Sequence, residues 1–328
     1  MKILLIRSEG NLTHLNDFMS DLLLHGLRQL HGFDVIDYPG CWYMYSDEIM
    51  NREYDINKIW GKGFTINSTL NNYNSIDRTD IKKKIQNKYF DLVIYGSIRR
   101  SELFLDEVIK NNIRVIFIDG EDDNYIDERY LKSGLYFKRE LIENKPNVLP
   151  VSFAVPKEKI INNINEKPTN LLAPLIPGRL STYKYDNERT YYNMYSNSIF
   201  AMTNKKLGWD CLRHYEILMN GCIPLFLNIK DCPEYTLTSL PKDKLLKIYN
   251  NFNKVLKLYF PFKIYKKKFL SIRNIFSYLP NIFKSKNTAE YLKKNSEILE
   301  IKKELLRYTR QNLTTETLAK YILDKQNL

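Results

Sequence analysis

Arg213 and Glu216 stand three residues apart in the stretch Asp210-Cys211-Leu212-Arg213-His214-Tyr215-Glu216. Leu212, Tyr215, Leu218 and Met219 recur at helical spacing, which predicts a helix with one apolar stripe; Arg213 and Glu216 share its polar edge. Asp210 is the expected N-cap, and Gly221 falls where a left-handed residue closes a helix. Arg213 then lies in the first turn, where the helix dipole disfavours a cation by about 0.3–1 kcal/mol unless an anion is close. A helix start that carries an arginine at a strand's carboxyl end suits a phosphate or diphosphate. Glu216, one turn on, suits the vicinal hydroxyls of a ribose. The competing reading pairs Arg213 with Glu216 on the surface.

A second group of chemical residues follows the apolar run Val115–Ile118: Asp119-Gly120-Glu121-Asp122-Asp123. Asp119, Glu121 or Asp122 at the carboxyl end of a parallel strand could act as a general base toward a hydroxyl. Four acids could also gather a divalent cation, or form a solvated loop. Arg99 and Arg100 could face an anion or neutralise these acids. Phe137-Lys138-Arg139-Glu140 is a compact charged stretch after these acids, and its Lys138 and Arg139 could line a cleft. Of the four histidines, His14 alone sits at the mouth of a strand–helix turn, as a catalytic group would; His25 and His31 read as structural. Gly61-Lys62-Gly63-Phe64-Thr65 lacks the phosphate-loop pattern and reads as a glycine-rich loop on the acceptor side or an ordinary turn.

The elements that must position these groups alternate. Short β-branched runs, Ile3–Ile6, Phe33–Asp37, Leu92–Tyr95 and Val115–Ile118, are separated by helical periods at Leu15–Leu30 and Glu102–Lys110. A weaker strand at Val148–Phe153 precedes a stretch punctuated by Pro156, Pro168, Pro174 and Pro177, which reads as a linker or loops. Strands at Ile199–Thr203 and Ile223–Leu227 flank the Arg213 helix, and the chain from Ala289 onward is helical in period. The fold class is therefore α/β, in two consecutive units, 1–155 and 156–328. With 328 residues, 44% hydrophobic and 27% charged, the chain has an ordinary globular composition. Its apolar runs are strand-sized and too short for a bilayer span. The opening MKILLIRSEG reads as a first strand and not a signal peptide, and four cysteines without metal or redox spacing fit a reducing, cytoplasmic compartment.

The net charge of +12 is concentrated. Lys242 to Lys286 holds twelve Lys or Arg against one acid, Asp243, interleaved with ten aromatic residues. Such a basic helical insertion could rest on anionic lipid, placing the protein peripherally on the inner face of a membrane. It could equally be a solvated subdomain with an aromatic core, or, less in keeping with the remainder of the chain, could hold nucleic acid.

The block from Tyr195 to Tyr235 resembles the donor-binding region of GT-B glycosyltransferases, particularly the exostosin-like group. Ser198-Ile199-Phe200, Arg213-His214-Tyr215-Glu216 and Gly221-Cys222-Ile223-Pro224 carry the resemblance. Leu207-Gly208-Trp209-Asp210-Cys211-Leu212 stands where that group has a Ser/Thr-rich approach, and the basic insertion has no counterpart there. The resemblance implies two Rossmann-like domains facing across a cleft, an acceptor domain over 1–155 and a donor domain over 156–328 with the insertion at about 242–286. It implies a nucleotide-sugar donor and a glycan or glycolipid acceptor, with no metal or other cofactor needed and no nucleic acid partner. Arg213 would meet the donor phosphates and Glu216 the ribose, with Thr203, Lys205, Gly208, Asp210, Lys138 and Arg139 as further donor contacts. The rival reading is a non-catalytic membrane- or nucleic-acid-binding protein with a degenerate nucleotide pocket.

Overall fold

In the computed structural model, which describes residues 1–8, 16–49, 59–259, 288 and 295–327, the short apolar runs form two parallel sheets. Ile3–Ile6 (β1), Val35–Tyr38 (β2), Leu92–Tyr95 (β3), Arg114–Asp119 (β4), Leu135–Lys138 (β5) and Val148–Pro150 (β6) pair in the order β2-β1-β3-β4-β5-β6. Every residue of β1 and β3 is buried, which requires cover on both faces and explains their unbroken apolar runs of Ile, Leu and Val, closed in β3 by Tyr95. The register sets Ile3 between Val35 and Leu92, and Asp119 beside Lys138. The order reverses at β1, between β2 and β3, and ligands of such sheets collect beyond the carboxyl ends at that point.

Phe18–His31 (α1), Ser46–Ile49 (α2), Ile81–Gln86 (α3) and Leu105–Lys110 (α4) connect these strands. Helix α1 starts where the Asp17 carboxylate accepts the amides of Met19 and Ser20, and it ends at Gly32, whose φ of 55° favours glycine. Its buried Met19, Leu22, Leu23 and Leu27 join the core of the first sheet.

Asn170–Leu172 (β7), Ser198–Thr203 (β8) and Ile223–Phe226 (β9) form the second sheet in sequence order. Glu188–Ser196 (α5) links β7 to β8, and Leu212–Met219 (α6) links β8 to β9. Lys242–Tyr259 (α7), Glu297–Asn312 (α8) and Thr315–Asp324 (α9) follow. The last helix returns to the first sheet. At Gly26 of α1 a Cβ would overlap the Thr315 carbonyl, and His25 Nδ1 lies 2.7 Å from the Thr315 hydroxyl. One continuous apolar core accordingly runs from Ile3 to Ile322, with a smaller cluster of Leu175, Tyr195, Ile217 and neighbours on the second sheet.

Strands β5 and β7 and helices α3 and α5 arise where the sequence announced no element. Of the basic segment, α7 is described to Tyr259; 260–286 lies outside the described residues. Part of its charge is already engaged. Lys242 Nζ donates to the carbonyls of Pro233, Glu234 and Thr236 at 2.8–3.0 Å, Lys244 pairs with Glu304, and Tyr249 is buried. Among the described residues, no helix is long and apolar enough to cross a membrane.

Candidate functional site

A cavity of about 540 Å³ is lined by residues that follow strands of both sheets. From the first sheet come Asp17 and Phe18 at the start of α1, Arg100 after β3, Gly120, Glu121 and Asp122 after β4, and Arg139 after β5. The second sheet supplies Leu175, Tyr183 and Tyr185 after β7, Lys206 to Gly208 after β8, and Asp210, Arg213 and Glu216 around the start of α6. Gly61, Lys62, Phe64 and Thr65 complete the lining from the glycine-rich loop.

Arg213 is only 7% exposed, yet among the described residues its guanidinium has one hydrogen-bond partner, the Tyr183 hydroxyl, to which Nη2 donates at 3.0 Å. Nε and Nη1 have no hydrogen-bond partner among the described residues. No ion pair joins Arg213 to Glu216, so the surface-pair reading of these two residues is set aside. Asp210 is not the N-cap either. Cys211 holds that position without a side-chain bond, because the Asp210 carboxylate turns away to accept the Phe153 amide at 2.8 Å. An uncapped helix start and a buried, underpartnered cation thus face the same cavity. Each unmet buried donor costs about 1–3 kcal/mol, and an anion would relieve both defects together.

Glu216 is held across the molecule. Oε1 accepts from the Thr65 hydroxyl at 2.6 Å and Oε2 from the Tyr191 hydroxyl at 2.7 Å. Each carboxylate oxygen has a second lone pair, so the group can still accept from a ligand hydroxyl.

The loop before α6 is built around a carboxylate from the first sheet. Glu140 accepts the amides of Trp209 and Asp210 at 2.8 and 2.9 Å, and Arg139 donates to the Asp210 carbonyl at 2.5 Å, to Glu140 at 3.0 Å and to Asp122. Gly208 permits this approach, since a Cβ there would lie 2.6 Å from Glu140 Oε1. Burial, reinforced by the Glu140 charge and opposed by Arg139, pushes the Asp210 carboxyl up to about 7. His214, behind the loop, is held neutral by burial, which lowers its pKa to about 3. Its Nδ1 accepts from Thr203 at 2.7 Å, and Nε2 donates to the Trp209 carbonyl at 2.9 Å.

The acids after β4 do not form one cluster, because each is engaged by a cation. Asp119 and Lys138, neighbours in register, form a fully buried ion pair at 2.9 Å, and the Tyr136 hydroxyl donates to Asp119 at 2.6 Å. Arg100 binds both oxygens of Glu121 at 2.5 and 3.2 Å, Arg139 takes Asp122, and Arg99 takes Asp123 at 2.5 Å. Among the described residues no three His, Cys, Asp or Glu side chains are placed to hold a metal ion.

Of the residues given a catalytic or donor-binding role from sequence, seven therefore line the cavity: Glu121, Asp122, Arg139, Gly208, Asp210, Arg213 and Glu216; Arg100 and the glycine-rich loop line it too. Asp119, Lys138, Thr203 and Lys205 do not. The first two are consumed by each other, Thr203 positions His214, and Lys205 lies over the Trp209 ring at 5.0 Å while Lys206 lines the cavity. His14 lies outside the described residues. Sequence reasoning gave Tyr183 and Tyr191 no role, and only their tertiary contacts mark them; Thr65 was noticed within the glycine-rich loop but not as a partner of Glu216. No protein-family model matches the chain, and no curated protein matches it in sequence.

Proposed function

We propose that the chain is a glycosyltransferase that moves a sugar from a nucleotide-sugar donor to a hydroxyl of a glycan or glycolipid. In this reading the two sheets are the Rossmann-like halves of a GT-B fold, with the donor diphosphate at Arg213 and the start of α6. The observation that carries it is the Arg213 guanidinium, buried at the cavity wall with Nε and Nη1 unmet among the described residues. Glu216, already oriented by Thr65 and Tyr191, supports a ribose contact one helical turn away. Negative charge developing on the leaving diphosphate would be stabilised by Arg213 and the α6 amides, donors that are in place before the reaction begins. Asp122 is the base in this scheme. It lines the cavity, its side chain is half exposed, and Arg139 engages it through Oδ1. It would take the proton of the acceptor hydroxyl as that oxygen attacks the anomeric carbon.

The test is a thermal-shift comparison of nucleoside diphosphates, nucleotide sugars and nucleosides on the wild type and on Arg213→Met. The expected result is stabilisation by the first two only, about 2–3 kcal/mol near saturation, and its loss in the variant. The unliganded variant should melt at or above the wild-type temperature, because a buried cation leaves the positive end of a helix. Asp122→Asn should slow transfer while leaving donor affinity intact. Absence of stabilisation by every diphosphate overturns the reading.

A further inference from the structure

Leu180 and Leu207 are the most exposed of the large apolar side chains among the described residues, at 84% and 81%. Both stand on loops that line the cavity, the first through Tyr183 and the second through Leu207 itself. The two loops carry the same chemistry. Arg179-Leu180-Ser181-Thr182-Tyr183-Lys184 and Asn204-Lys205-Lys206-Leu207-Gly208-Trp209 each hold two cations, one leucine, one aromatic ring and no acid. Arg179, Lys184 and Lys206 are exposed. The acids nearest the first loop in sequence, Asp186 and Glu188, are taken by Lys62 at 2.6 Å and Lys159 at 2.5 Å, so they do not neutralise it. The 3.0 Å bond from Arg213 to Tyr183 ties that loop to the start of α6, which the second loop leads into.

We infer that these two loops dock the mouth of the cavity on an anionic lipid bilayer. A leucine held in water beside cations that meet no carboxylate among the described residues gains from the boundary between headgroups and acyl chains, where the apolar side chain is buried and the cations meet lipid phosphates. The inference needs no donor and no transfer reaction, so it stands or falls apart from the proposed activity.

The experiment is co-sedimentation of the full chain with vesicles of phosphatidylcholine alone and with added phosphatidylglycerol. Binding is expected to the anionic vesicles only and to weaken as salt rises. Arg179→Gln with Lys184→Gln should weaken it about 25-fold, from roughly fivefold per cation. Leu180→Ser with Leu207→Ser should weaken it as well, with the melting temperature of both variants checked against the wild type. A Lys266→Glu, Lys267→Glu, Lys268→Glu variant controls for the basic segment. The inference is overturned by wild-type chain that stays in the supernatant or pellets equally with both vesicles, or by loop variants that bind as wild type while the lysine variant does not. It is also overturned if the wild type is a dimer that the leucine variant dissociates without loss of vesicle binding.

Discussion

Asp210 sits where two halves of the molecule share one ionisable group. Its carboxylate accepts the Phe153 amide, its own amide is held by Glu140, and burial lifts its pKa from the usual 3.8 to about 7. A carboxyl whose folded pKa is raised binds its proton more tightly in the native state than in the unfolded chain. Its contribution is therefore fully present below about pH 4 and is lost as pH rises toward 7. Melting temperature followed between those values should fall more steeply for the wild type than for Asp210→Asn, which keeps the acceptor oxygen and cannot ionise. Equal slopes would show that Asp210 does not titrate in this window. The same residue shows the limit of local reading. Asp before a helix is a sound N-cap by type, but the Phe153 amide is a partner that only the assembled fold supplies.

Among the elements, the β8–α6 loop is the one on which the site depends, and Glu140 is its anchor. That carboxylate binds two loop amides and the Arg139 guanidinium from a position just past β5. Glu140→Ala leaves the two loop amides without an acceptor, at about 1–3 kcal/mol for each that water cannot reach, while Arg139 keeps the Asp210 carbonyl and Asp122. Urea unfolding should show a loss of several kcal/mol, and Asp210 should become easier to ionise because a neighbouring negative charge is gone. A Glu140→Ala protein as stable as the wild type would assign the loop's conformation to its own residues. Strand β5 itself was hidden by its charges. Leu135-Tyr136-Phe137-Lys138 reads as the edge of a charged stretch, and it can be a buried strand only because Asp119 lies beside Lys138 in register.

For the whole molecule, the return of α9 to α1 joins the end of the described chain to the first sheet. Gly26 makes the close approach possible, so Gly26→Ala must push the two helices apart. Overpacking of this kind costs about 1–3 kcal/mol, and urea unfolding should record it. Affinity for a nucleoside diphosphate should be unchanged, since neither helix face at Gly26 borders the cavity. A drop in affinity equal to the drop in stability would mean that the cavity and this helix pair open together.

The sequence by itself determined the class of fold and the residues of one half of the site. Parallel strands buried on both faces need short, nearly unbroken apolar runs, a pattern readable in β1, β3, β4, β8 and β9. An arginine and a glutamate three apart in an amphipathic helix must share an edge, and both do line the cavity. Tertiary structure alone decided which charges remain available. Lys138 and Asp119 were as plausible by type as Arg213 and Glu216, yet register drives the first pair into each other. Arg213 ends with two nitrogens unmet among the described residues, and Thr65, 151 residues away, reaches Glu216. Whether a charged side chain is neutralised, oriented or left free depends on partners distant in the chain, and their approach is set by packing that no local spacing encodes.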